Sequence, residues 1–196
     1  MSPDQARSAI YLDFEGYKGH PPALLGWAGG WSDRTVVSDV VQTVLVPTYE
    51  LAASHSRLRL ADLEVVIGEL VTRARDERRL LVSYSSTELS VVQTYTRSDL
   101  AVAFGASYFN ALPFATRWVN ALHSDWRFPV PRAKGKSRYP LQRFLAFMDF
   151  ELPRGAGSGL TTKRLRGVAA GLRRGASWER LTRVQNVYWR DSLLHN

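Results

Sequence analysis

The stretch Ile10-Tyr11-Leu12-Asp13-Phe14-Glu15-Gly16 constrains this chain more than any other. Ile10, Leu12 and Phe14 alternate with Tyr11, Asp13 and Glu15, the period-two pattern of a half-buried strand. Successive side chains of a strand point to opposite faces, so Asp13 and Glu15 share one. Two carboxylates at that spacing, ended by Gly16, make a compact oxygen-rich surface that repels itself unless a cation stands between them. Mg²⁺ suits such a pair, because it takes one or two carboxylates and keeps the rest of its shell for water and phosphate. A D-x-E pair taken alone is more often a strand edge with two solvated acids, so the rest of the chain has to decide.

The charge is unevenly spread. Of 196 residues, Arg127 to Arg183 hold 14 Lys/Arg against 3 Asp/Glu, a net +11, while the remainder carries 12 against 15, a net −3. An acidic-leaning part therefore holds the D-x-E pair and a basic part follows it. A concentrated basic face suits a phosphate backbone, and equally an acidic protein. There is no cysteine, which excludes disulfides and thiolate zinc sites and fits a reducing, cytoplasmic setting. No apolar run approaches the ~20 residues needed to span a bilayer, so no membrane partner is expected. Met1 to Ser8 lacks the basic and apolar regions of a signal peptide.

Along the chain, strands are expected at residues 9–14, 24–31 and within 35–47, where Thr43-Val44-Leu45-Val46 is the strongest part. Short turns between them predict an antiparallel meander. A helix over 61–79 follows, with Leu63, Val66, Ile67, Leu70, Val71 and Ala74 on one apolar stripe. Leu80-Leu81-Val82 reads as a buried strand, and residues 88–95 as a helix capped by Ser86 or Thr87. Residues 108–112 are a candidate fifth strand, and Pro113 can open a helix through Leu122. Residues 123–139 read as a loop, and Leu141, Phe144, Leu145 and Met148 have helical spacing. Helices over 161–173 and 177–194 complete the chain. The order predicts one α/β domain with a mixed sheet.

Glu88 opens the helix after the fourth strand. If strands one and four are neighbours, that helix start lies near the end of strand one and faces Asp13 and Glu15. Asp191 lies in the final helix, where an isolated Asp is usually solvated. Asp13-Phe-Glu15 after an apolar strand, an acid soon after strand four, and an Asp in a C-terminal helix form a D-E-D-D pattern. It resembles that of the 3′–5′ exonucleases of the ribonuclease H-like fold. Val82-Ser83-Tyr84-Ser85-Ser86-Thr87-Glu88 looks most like the branch with Tyr-Ser-x-x-Glu at this point, the ribonuclease H-like domains often found beside RecB-type nucleases.

The resemblance runs from Ile10 to Leu194. It implies a single ribonuclease H-like domain over 1–196, with a basic insertion around 123–160. The implied sheet has five mixed strands, an antiparallel meander plus parallel strands, flanked by helices. It also implies that Asp13, Glu15, Glu88 and Asp191 hold two Mg²⁺ or Mn²⁺ ions, roughly 3.5–4 Å apart, for 3′–5′ cleavage of single-stranded DNA or RNA. The chain departs from the pattern in two ways. The family places a His or Tyr before the last Asp, and here those positions are Asn186 and Val187, with Tyr188 about 100° of helix out of register. Asn186 can orient a water but cannot serve as a general base. Glu88 replaces the commoner Asp. A catalytically weak or inactive nucleic-acid-binding module on the same fold is the alternative. His123 and His195 are candidate substitute bases, but each reads first as a surface histidine.

Arg127, Arg132, Lys134, Lys136 and Arg138 interleave with Trp126, Phe128 and Tyr139. Aromatic faces stack bases while cations track phosphates, an arrangement suited to single strands; a basic loop with tucked-in aromatics has the same pattern. Lys163, Arg164, Arg166, Arg173 and Arg174 form a second basic stripe or a solvated helix face. Asp149-Phe-Glu151 repeats the D-x-E spacing within a helical pattern, where i and i+2 do not share a face, and is read as structural.

Overall fold

The computed structural model describes residues 1–29, 40–122, 141, 144–145, 148, 150, 159–174 and 177–196. The described elements are α1 (Pro3–Ser8), β1 (Ile10–Glu15), β2 (Leu24–Gly29), β3 (Val40–Val44), a 3-10 turn (Pro47–Tyr49) and α2 (Glu50–His55). Next come β4 (Arg59–Leu60), α3 (Leu63–Asp76), β5 (Leu81–Ser83), α4 (Thr87–Tyr95), α5 (Ser98–Ser107), β6 (Tyr108–Asn110) and α6 (Leu112–Leu122). The chain closes with α7 (Thr161–Arg174), a 3-10 turn (Trp178–Arg180) and α8 (Arg183–His195). The expected loop at 123–139 and the Asp149/Glu151 pair fall outside the described residues.

The fold is α/β. The sheet has six strands in the order β4-β3-β2-β1-β5-β6. β2 pairs antiparallel with β1 and β3, whereas β5 runs parallel to β1, β6 to β5 and β4 to β3. The meander followed by parallel strands matches expectation, but the sheet has one strand more than the five expected. The extra strand is β4, whose two residues pair with Thr43 and Val44. Two exposed residues are too short to display any alternation, which is why the pattern of residues does not reveal it.

Helices cover both faces. On one, Ile10, Leu12, Leu25 and Leu81 pack against Leu63, Val66, Ile67, Leu70 and Ala74 of α3, Val92 of α4 and Phe104 of α5. Burying each such large side chain contributes about 1.5–3 kcal/mol. On the other, Leu24 and Val44 pack against Ala52 and Ala53 of α2, Leu165, Val168 and Leu172 of α7, and Trp189 of α8. Strand alternation turns Asp13 and Glu15 toward this second face.

Several boundaries move for local reasons. α3 stops at Asp76 rather than residue 79, because Arg78 takes a left-handed φ of 53° and the Arg79 guanidinium turns back to the carbonyls of Ser8 and Ala9. The last helix is split. Thr182 caps α8 by accepting from the Gln185 amide at 3.3 Å, and the Gln185 side chain accepts from the Thr182 amide at 2.9 Å. This capping box starts a new helix where a continuous one from 177 was expected. α1, α2 and α5 were not anticipated, although Ser2 and Gln5 form a capping box at the start of α1.

Candidate metal centre

β1 presents the carboxylates and α8 closes over them. Close contacts hold the C-terminal end of α8 in place. Gln42 on β3 donates through Nε2 to the Leu193 carbonyl at 2.6 Å. Asn196 donates through Nδ2 to the Asp13 carbonyl at 3.3 Å. Asp13 pairs across the ladder with Gly26, and a Cβ there would lie 2.6 Å from the Asn196 carbonyl. Behind α8, Gly167 and Gly171 of α7 leave room for close approach. A Cβ on Gly167 would meet the Tyr188 ring at 2.9 Å, and one on Gly171 the Gln185 side chain at 2.5 Å. The N-terminal turn of α7 is tied to the end of β1, where Thr162 Oγ1 donates to the Gly16 carbonyl at 2.9 Å.

This packing delivers His195 to the carboxylates. Ligating atoms of Asp13, Glu15 and His195 all lie within 4.8 Å of one another, the one such group among the described residues. Nδ1 of His195 stands 2.8 Å from Oε1 of Glu15. That nitrogen is buried, and the two groups form an ion pair when the imidazole is protonated.

Glu88 is 6% exposed in the first turn of α4. Ser85 Oγ donates to its Oε2 at 3.1 Å. The turn that carries it is held from β5 and β6: Ser83 Oγ donates to the Ser85 carbonyl at 2.6 Å, and the Tyr108 hydroxyl bonds to the same carbonyl.

The electrostatics follow from crowding acids in a partly dry site. Burial, then the charges of Glu15 and Glu88, push the Asp13 carboxyl up to about 7. Burial likewise raises Glu88, with Glu15 adding to it and hydrogen bonds from its own backbone, Ser83 and Ser85 opposing. His195 is raised by the neighbouring Glu15 carboxylate, and further by Asp13, against the effect of burial. Without a cation the site favours added protons, the response of acids that lack a counter-charge.

The other sequence-derived residues are placed as follows. Asp191 stands outside the group of three. Its Oδ2 lies 3.1 Å from Nη2 of Arg164 and its Oδ1 3.4 Å from Nη2 of Arg190. Arg164, expected on a basic stripe, is instead 7% exposed and turned inward to that pair. Its stripe neighbours Lys163, Arg166, Arg173 and Arg174 are exposed on α7. Asn186 sits about 180° round α8 from His195 and opens with His55 and Trp178 onto a separate cavity of about 320 Å³. Arg127, Arg132, Lys134, Lys136, Arg138 and His123 lie outside the described residues. His195 is the residue that reading by motif undervalued. The available signal was its position four after Asp191, on nearly the same helix face.

No helix of the described residues is long and apolar enough to cross a membrane. Comparison with protein-family models, with curated proteins and with solved structures returned no match.

Proposed function

We propose that this chain is a metal-dependent nuclease of the ribonuclease H-like fold, cleaving single-stranded DNA or RNA from the 3′ end with Mg²⁺ or Mn²⁺ at Asp13 and Glu15. The observation that carries the reading is the convergence of His195 from α8 with Asp13 and Glu15 of β1, the strand between β2 and β5, within 4.8 Å. The meander-then-parallel sheet is the organisation the resemblance implies, and Glu88 stands close enough to Asp13 and Glu15 for their charges to couple. The donor set fits a divalent cation: two carboxylates on one face, a third nearby, and a buried imidazole nitrogen beside Glu15.

Divalent ions bound there would supply a water nucleophile at neutral pH and neutralise charge on the phosphate. The chain's own part is to hold the carboxylates on one face, to exclude water behind them and to present cations to the strand. Lys163, Arg166, Arg173 and Arg174 on α7 are the described basic residues suited to the last task. A second reading, nucleic-acid binding without turnover on the same fold, draws on Asn186 and Val187, which supply no general base.

End-labelled single-stranded DNA and RNA, incubated with Mg²⁺, Mn²⁺ or chelator, separate the two. A metal-dependent ladder from the 3′ end that vanishes in Asp13→Asn supports the nuclease. Intact substrate with every metal, together with salt-sensitive binding, supports the binding module.

A further inference from the structure

We propose that the His195 imidazole binds the cation through Nδ1, beside Glu15, in the place that the resemblance assigns to Asp191, and that this cation is a first-row transition-metal ion rather than Mg²⁺. The inference rests on the metal centre proposed above and deepens it.

The first argument is the commitment of Asp191. Each of its carboxylate oxygens already faces a guanidinium, and the Arg164 partner is buried. Recruiting Asp191 to a cation would require it to give up its ion pair with the buried Arg164. His195 is ion-paired as well, at 2.8 Å, but its partner Glu15 is itself a member of the group, so a cation bound between them keeps both. Its Nδ1 is buried and faces the carboxylate pair.

The second argument is spacing. Two ligands on adjacent corners of an octahedron with bonds of about 2.1 Å stand about 3.0 Å apart. Nδ1 of His195 and Oε1 of Glu15 stand 2.8 Å apart. The 4.8 Å limit on all three ligating atoms fits a single ion's shell with only slight contraction.

The third argument is ligand chemistry. Mg²⁺ takes oxygen ligands and dehydrates reluctantly, whereas first-row transition ions accept imidazole together with carboxylate. His195 lies at the end of α8, which Leu193 and Asn196 hold beside β1 and β3.

The test is electron spin-echo modulation on the full chain loaded with one equivalent of Mn²⁺, which reports directly bound nitrogen. The wild type should show ¹⁴N modulation that disappears in His195→Gln and persists in Asp191→Asn. Mn²⁺ affinity should fall on the order of tenfold or more in His195→Gln, while Mg²⁺ affinity barely changes. A variant with His20, His55 and His123 all changed to Gln leaves His195 as the chain's one histidine and must keep the nitrogen signal. It decides the matter even if His195→Gln fails to fold. Bound Mn²⁺ without nitrogen modulation would overturn the inference and leave the metal centre standing. No Mn²⁺ binding at millimolar concentration would remove both.

Discussion

Asn196 fills the space that a side chain on Gly26 would take: a Cβ at residue 26 would lie 2.6 Å from both its carbonyl oxygen and its Oδ1. Gly26 is also the ladder partner of Asp13, whose carbonyl accepts from Asn196 Nδ2. The last turn of α8 therefore rests directly on the strand pair that carries the carboxylates. The placement of His195 depends on a missing side chain on β2.

Gly26→Ala should accordingly uncouple the site from the fold. The added methyl meets backbone at the end of α8, so that end must lift. Overpacking of this kind costs about 1–3 kcal/mol, and a terminal turn that can move keeps the cost at the low end. The larger effect falls on the cation. Thermal melts with and without Mn²⁺ should show a small loss in chelator and a much reduced gain on adding metal. An undiminished metal gain in this variant would mean that the end of α8 does not shape the site.

Asp13→Asn should separate stability from activity in opposite directions. Asp13 is an acid held far above its ordinary range, so its charged form is a burden on the metal-free fold. Removing that charge should stabilise the metal-free protein near neutral pH by about 1–3 kcal/mol. The same change removes a cation ligand, so metal-induced stabilisation and any cleavage should be lost. Urea unfolding in chelator, paired with a Mn²⁺ titration, checks both. A variant less stable than wild type in chelator would contradict the picture of crowded, uncompensated carboxylates.

The strands and helices that carry the carboxylates were legible because each has a strong local signal. β1 alternates cleanly, and α3 carries a six-residue apolar stripe. Asp13, Glu15 and Glu88 could be brought toward one place by assuming that β1 and β5 are neighbours, and their parallel pairing supplies that contact. What was not legible depended on tertiary partners. Asp191 and Arg164 look like a solvated acid and a stripe cation until α7 and α8 pack through Gly167 and Gly171 and bring them to 3.1 Å. His195 looks like a surface residue until Gln42 and Asn196 hold its helix end to the sheet. β4 has no pattern of its own, because two residues paired to an edge cannot show a period.

The Arg164–Asp191 pair should matter for stability more than the exposed ion pairs. Its side chains are 9% and 14% exposed, against 47% and 51% for Arg59 and Glu69. Removing one member of a buried pair leaves the other charge uncompensated, which typically costs 3–5 kcal/mol. Arg190 also faces Asp191 and softens the loss, so Arg164→Ala should cost about 2–3 kcal/mol. Arg59→Ala should cost under about 1 kcal/mol, because exposed pairs are screened by water and salt. Urea denaturation of the two variants tests the contrast, and equal losses would deny the pair its interior character.

The metal-free protein should lose stability as pH rises through the neutral range. Asp13 is raised from 3.8 to about 7, so between those values the native state keeps a proton that the unfolded chain has released. Stability then falls with rising pH, because the native state is the one binding more protons. His195 acts in the same direction. Its value is raised above 6.5, so its contribution is fully present below that pH and is lost as pH climbs through the native value. Glu69 and Glu77 oppose this trend, but their values are lowered by arginine partners, so their effect is confined to more acidic solution. In chelator, the unfolding free energy should therefore decline from about pH 5 to beyond neutrality, by a total on the order of a few kcal/mol. Bound Mn²⁺ should reverse the slope, since a cation binds deprotonated carboxylates and neutral imidazole and competes with protons for them. The stabilisation gained from metal should grow steadily across the same range. Melting temperatures with and without Mn²⁺, taken at several pH values, measure both curves. A metal-free curve that is flat or rising above pH 5 would show that Asp13 and His195 do not share the crowded site described above.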